Sequence, residues 1–221
     1  MIQPRRHLRS DVTTEVQARL LAGQLPVGRI NESELAAELG ISRTPLREAL
    51  LVMEQRGIVE SAMGRGFLVR PLTLAEAEEL YPLLAVLEPM ALRAAGPALA
   101  ACVPKLRQLL RQMAETDDPD RLASLGQDWG ECLRETCPNR KLATMLADLH
   151  RLSARYERAN IAQLGRVPGL ELAPLLAHHG RIVDAIEHGD YDQAAELTGA
   201  SWRGCLAALR LHLPPTPAER P

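Results

Sequence analysis

The chain has 221 residues, 46% of them hydrophobic, which is enough for one large folded unit or two small ones and excludes a disordered polymer. It shows no run of about 18 apolar residues, and no apolar stretch follows Arg5, Arg6 and Arg9, so neither a membrane span nor a signal peptide is expected; a soluble, cytoplasmic protein is. Residues 1–72 hold ten Arg against eight acidic residues, a balance of +2, whereas the remainder stands at −4, so the front of the chain is the part suited to a polyanion.

From Asp11 to Leu21 the apolar residues Val12, Val16 and Leu20 recur every four positions, predicting a helix that Gly23 ends. Leu25-Pro26-Val27-Gly28 reads as a turn. Asn31 with Glu34 three positions on is an N-cap signature, opening a short helix that buries Leu35 and Leu39 and stops at Gly40. A third helix follows, with Thr44 as the predicted N-cap and Pro45 at the first helical position. Leu46, Ala49, Leu50 and Met53 keep the i, i+3, i+4, i+7 spacing of a core face, and Gly57 closes the helix. Ile58-Val59-Glu60 and Phe67-Leu68-Val69 predict two strands joined by a turn containing Gly64-Arg65-Gly66. Helix, helix-turn-helix, hairpin is the order of a winged helix-turn-helix.

Beyond Arg70 the pattern is helical throughout. Thr73 and Glu76 form a capping box, and breaks fall near Pro97, at Asp117-Asp118-Pro119, at Pro138, between Gly165 and Gly169, and at Gly189-Asp190. About six helices in one bundle are expected, and the proline-rich residues 214–221 read as a disordered tail. The predicted domains are therefore 1–72 and 73–213, in a mostly α fold. Cys102, Cys132, Cys137 and Cys205 show no CxxC pairing, so neither a disulfide framework nor a zinc knuckle is suggested.

In a helix-turn-helix the second helix lies in the major groove and its N-terminal residues reach base edges. Here that end offers Ser42, Arg43, Thr44 and Arg47. Arg43 and Arg47 are four apart and share a side; a guanidinium grips guanine O6 and N7 with two hydrogen bonds, and hydroxyls suit phosphate oxygens. Arg65, between two glycines at the hairpin tip, is able to approach the duplex closely. Two Arg on an amphipathic helix are more often a solvated face; the joint pattern of helix order, tight turn and Gly-Arg-Gly hairpin favours DNA reading.

The run from Glu32 to Leu50, ESELAAELGISRTPLREAL, resembles the DNA-binding segment of the GntR family of repressors, and Gly64 to Val69 resembles that family's wing. The resemblance implies that Arg43 and Arg47 contact operator DNA, with Thr44 and Gly66 assisting. Many members carry Arg where this chain has Ser33, which puts one DNA contact in doubt. The helical remainder resembles the FadR-type, FCD branch on Leu87-Glu88-Pro89, Asn139, His179, Ile182, Ala185-Ile186 and Gly189-Asp190.

That branch holds a divalent metal with one Asp and three His, which helps bind a carboxylate effector. Anchored on Trp129, Leu133 and Asn139, the resemblance puts Gly126, Gly130, His179 and Ser201 at those four positions, and Leu84 where an effector-binding Arg often stands. One imidazole does not hold a divalent ion, so no metal or other cofactor is expected. Sliding the register by two residues would assemble Asp128, Cys132, His179 and Cys205 into a softer, zinc-suited set; it turns Trp129 and Leu133 out of register, and ordinary packing is the favoured reading. The expected pocket is larger, less charged and suited to a more apolar effector, with His178, Trp129, Tyr156 and His179 supplying polar contacts. Two-fold operators imply a homodimer, and ligand-relieved repression is the expected mode. Two rival readings are a DNA-bound scaffold with a silent sensor domain and an enzyme using Cys132 and His179 as nucleophile and base; nothing in the sequence supplies the latter with an orienting acid.

Overall fold

A computed structural model describes residues 5–21, 24–55, 58–62, 66–167 and 170–213, and the side chains of all but a few of these. The chain divides into two compact units, Met1–Pro71 and Leu72–Pro221, a boundary one residue from that expected. Gly23, Gly57, Gly64, Arg65, Gly169 and the 214–221 tail lie outside the described residues.

The first unit runs α1 (Arg5–Leu21), β1 (Gly28–Arg29), α2 (Glu32–Glu38), α3 (Arg43–Gln55), β2 (Val59–Ala62) and β3 (Gly66–Val69). Val12, Val16 and Leu20 of α1 meet Leu35 and Ala36 of α2, Leu46, Ala49, Leu50 and Met53 of α3, and Val59, Phe67 and Val69 of the strands in one core. Three boundaries depart from expectation. The α1 helix begins six residues before Asp11. The α3 helix begins at Arg43, so Ser42 and not Thr44 precedes it; Pro45 then lies in the first turn, where a missing N–H costs no helical bond. Gly28, read as part of a turn, enters a two-residue strand: β1 pairs antiparallel with β3, giving a three-stranded sheet of order β1-β3-β2. The Ile30 N–H extends that pairing to the Phe67 carbonyl at 2.8 Å.

The turn between α2 and α3 is specified by its own residues. Asn31 caps α2, its side chain accepting from the Glu34 N–H and donating to the Glu34 carboxylate. At the other end Gly40, at φ +64, donates to the Ala37 carbonyl while the Ile41 N–H returns to that of Ala36, the Schellman arrangement that reverses a chain sharply.

In the second unit the described residues form six α-helices and one short 3-10 helix: α4 (Leu74–Ala95), the 3-10 helix Gly96–Cys102, α5 (Val103–Ala114), α6 (Pro119–Glu135), α7 (Arg140–Ile161), α8 (Leu172–Glu187) and α9 (Tyr191–His212). Their starts carry the signals expected of them: the side chains of Thr73, Asp118, Asn139 and Asp190 each accept a backbone N–H from the first turn. The α4 helix is apolar on both sides. Tyr81, Leu84 and Leu92 are buried, while Leu83, Val86 and Met90 stand half or more exposed in a row at helical spacing. By length and composition alone the Leu74–Ala114 stretch is apolar enough to cross a membrane; here α4 packs its buried face against α7 and α9 within the bundle.

Candidate DNA-reading surface and effector cavity

In the first unit, α3 turns Leu46, Ala49, Leu50 and Met53 inward with no exposure, which fixes the opposite side outward. Ser42, Arg43, Thr44 and Arg47 are all exposed on that outward side, with Ser33 exposed on α2. Arg43 forms no ion pair among the described residues. Arg47 Nη1 stands 3.6 Å from Glu32 Oε2 and remains 53% exposed, so its guanidinium is steered without being withdrawn from solvent. Gly66 begins the strand that returns from the hairpin, at φ +80, and a Cβ there would lie 2.7 Å from Glu32 Oε1. Glu32, buried and with Oε2 unmatched by any hydrogen bond, thus stands between the base of the wing and the reading helix. No local signal marked it, because its two partners are distant in sequence.

In the second unit a cavity of about 370 Å³ opens among α4, α6, α7, α8 and α9. All four positions assigned to the metal set, Gly126, Gly130, His179 and Ser201, line it. They do not fit a metal. Three of the four bring no ligating nitrogen or carboxylate, and the space beside Gly130 is taken: a Cβ there would be 3.0 Å from the His150 ring and 3.2 Å from the Arg134 guanidinium. The alternative zinc set does not assemble either. His179 and Cys205 line the cavity, but Asp128 and Cys132 do not, because Trp129 keeps the inward position on α6. Cys132 is buried in the bundle core, its carbonyl accepting from the Cys102 thiol, a group pushed up to about 12 chiefly by burial. The same separation leaves the Cys132–His179 nucleophile pair unformed. Leu84 is fully buried and outside the cavity wall.

The polar end of the cavity holds groups that the sequence did not single out as pocket residues. Glu88 of α4 accepts from His150 Nε2 at 2.8 Å and from the Trp202 indole N–H. Those partners hold its carboxyl below the usual range against the opposing effect of burial. Glu157 of α7 lies beside it, its pKa raised by burial, with Ser153 Oγ 2.5 Å from Oε1. The expectation of a less charged pocket is therefore corrected: the carboxyls of Glu88, Glu157 and Glu171 line the cavity, and the His150 ring takes the space beside Gly130. Trp129 and His179 line the cavity as expected, their rings edge to face at 4.8 Å, and burial pushes the His179 imidazole down to about 4. His178 also lines it, but its Nε2 bonds the Leu197 carbonyl and its Nδ1 receives Arg181.

Tyr156 does not line the cavity. It lies one residue and about 100 degrees around α7 from Glu157, buried in the core, with its hydroxyl donating to Glu76 at 2.5 Å and placed 3.3 Å from the Thr73 N–H and carbonyl. It fastens α7 to the first turn of α4.

A winged helix-turn-helix with exposed arginines on its reading helix, joined in one chain to a helical bundle around a ligand-sized cavity, defines a DNA-binding transcription regulator with a sensor domain. Residues 8–69 match the family described as "Bacterial regulatory proteins, gntR family" and residues 79–203 match the "FCD domain". The chain belongs to the gntR family of bacterial regulatory proteins, in its FCD branch. It is similar to the "Probable D-xylose utilization operon transcriptional repressor" of Paenarthrobacter nicotinovorans, 28% identical over 84% of this chain and 81% of that protein. It is also similar to the "Uncharacterized HTH-type transcriptional regulator YdhC" of Bacillus subtilis (strain 168), 30% identical over 58% of this chain and 59% of that one. The solved structure of E. coli McbR/YncC shares the fold, with a TM-score of 0.77 and 21% identity over 95% of this chain and 98% of the other.

Proposed function

We propose that this regulator is a homodimeric, cytoplasmic repressor that leaves its operator when a small organic effector fills the second unit's cavity, without a metal. The observation that carries the reading is the pairing, in one chain, of an outward row of DNA-suited side chains on α3 with a largely apolar cavity that a small molecule would fill. Arg43 and Arg47 read base edges, Ser42 and Thr44 hold phosphates, and the wing at Arg65 and Gly66 approaches the adjoining groove. Ser33 makes the shorter of the contacts that an Arg would make there. The relatives whose names describe a repressor support the sign of regulation.

The exposed Leu83, Val86 and Met90 row on α4 is the face that a second copy covers, which gives a protein able to read a two-fold operator. With the metal positions occupied by Gly126, Gly130 and Ser201, the cavity uses its own carboxyls and acceptors for the effector. Footprinting of the full chain on an operator enriched from random-sequence DNA tests the reading. Two protected half-sites about 10 base pairs apart, or a multiple of that, are expected; protection without sequence preference overturns it.

A further inference from the structure

The hydrogen-bonding inventory of the cavity is lopsided. Trp202 spends its indole N–H on Glu88, and Asn160 spends one of its two amide N–H groups on the Cys205 carbonyl. His178 Nε2 and His179 Nδ1 bond the carbonyls of Leu197 and Leu175. The hydroxyls of Thr198 and Ser201 donate to Ala194 and Leu197 within α9. Among the described lining side chains, the donors left without a hydrogen bond are few: the Trp129 indole N–H, the second amide N–H of Asn160 and the weak Cys205 thiol, which burial pushes up to about 12. The acceptors are not spent. Glu157 keeps one carboxyl oxygen beyond its Ser153 contact, His179 keeps the Nε2 lone pair that its Nδ1–H bond leaves exposed, and Ser201 and Thr198 keep lone pairs. Among the described residues no Lys or Arg lines the cavity, and Leu122, Ile161, Leu164, Leu175 and Ile182 supply much of its apolar wall.

A ligand has to satisfy what the wall leaves open. A carboxylate brings only acceptors and a negative charge, which this wall meets with further acceptors and a carboxyl. An ammonium brings three donors and no acceptor. We infer that the effector is an organic amine, an ammonium on an apolar body, held by Glu157 with His179 Nε2 and the α9 hydroxyls as further acceptors. This rests on the reading of the cavity as the effector site and reverses the metal-and-carboxylate chemistry that the family resemblance implied.

Other charges that bear on Glu157 are Glu88 from α4, the Arg134 guanidinium from α6 and His150 from its own helix. Arg134 and His150 stand over Gly130, and His150 is hydrogen-bonded to Glu88; both also bear on Glu157, but neither forms a hydrogen bond or ion pair with it among the described residues, and the third lining carboxyl, Glu171 at the start of α8, is exposed.

Calorimetric titration of the full chain in chelator, with 4-phenylbutylamine, 4-phenylbutanol and 4-phenylbutanoate, holds the apolar body constant and varies the head. The amine is expected to bind about tenfold or more tighter than the alcohol, with the carboxylate weakest. In Glu157→Gln the amine should fall to the level of the alcohol, while the alcohol, which reports on cavity shape, changes by less than about twofold. Equal or tighter binding of the carboxylate, no binding of the amine, or an amine affinity indifferent to Glu157→Gln overturns the inference. Repeating the titration with added zinc and with bound operator separates the two claims. A carboxylate that binds and releases operator overturns the amine and leaves the effector reading standing; operator retention with the cavity saturated overturns the effector reading instead.

Discussion

Replacing Gly66 by alanine tests whether Glu32 couples the wing to the reading helix. At φ +80 an L side chain costs about 1–2 kcal/mol in backbone strain. The added Cβ also falls 2.7 Å from Glu32 Oε1, and the carboxylate has to turn off its rotamer, about 0.5–1.5 kcal/mol more, which breaks its pairing with Arg47. The total is about 1.5–3.5 kcal/mol. In a Glu32→Ala background only the strain remains, so the cost of Gly66→Ala drops to about 1–2 kcal/mol and the cycle shows coupling near 1 kcal/mol. Native-state hydrogen exchange of the full chain, read at the strand amides of Val59, Phe67 and Val69, reports the local opening free energy without assuming that both units unfold together. Strictly additive costs would refute the Glu32 contact, and a neutral Gly66→Ala would refute the strain as well.

Tyr156→Phe removes the hydroxyl bonded to Glu76 and is expected to destabilise the junction of α7 with α4 by about 1.5–3 kcal/mol, measured as faster exchange of the Ala75 to Ala77 amides; unchanged exchange argues against the anchor. His179 is neutral in the folded state down to about pH 4, whereas the unfolded chain protonates it near its ordinary value. The unfolded state therefore binds more protons in that window, and stability falls as pH drops from about 6.5 to 4, by about 1–3 kcal/mol once its border on the cavity is allowed for. His179→Gln should flatten that part of the pH–stability curve; an unchanged slope is the contrary result. Val86→Glu places a charge in the exposed α4 row and should shift sedimentation from dimer to monomer, with a persistent dimer locating the interface elsewhere.

The reading half of the molecule was legible because its determinants are local. The Asn31–Glu34 cap, Gly40 and the core spacing of α3 each act within one or two turns, and together they place Arg43 and Arg47 outward. The features that were not legible all depend on tertiary meetings. β1 is only two residues long and exists because β3 pairs with it. Glu32 looks like any acidic residue in a first helical turn until the hairpin brings Gly66 to it. In the bundle, the family resemblance named Gly126, Gly130, His179 and Ser201 together, and the four positions line one cavity. The polar end of that cavity could not be read that way: Glu88, His150 and Glu157 come from α4 and α7, and their tertiary surroundings decide their chemistry. Tyr156 was misplaced by the width of one residue on α7, a step that moves a side chain from the cavity wall to the core.

The central claim, that the outward end of α3 reads DNA sequence, is tested most directly by the affinity of full-length Arg43→Ala for the enriched operator and for scrambled DNA, at one fixed salt concentration. The account predicts that operator binding weakens by about 1–3 kcal/mol while binding to scrambled DNA changes far less, so the preference between the two shrinks. Operator affinity and preference equal to those of the parent protein would contradict it.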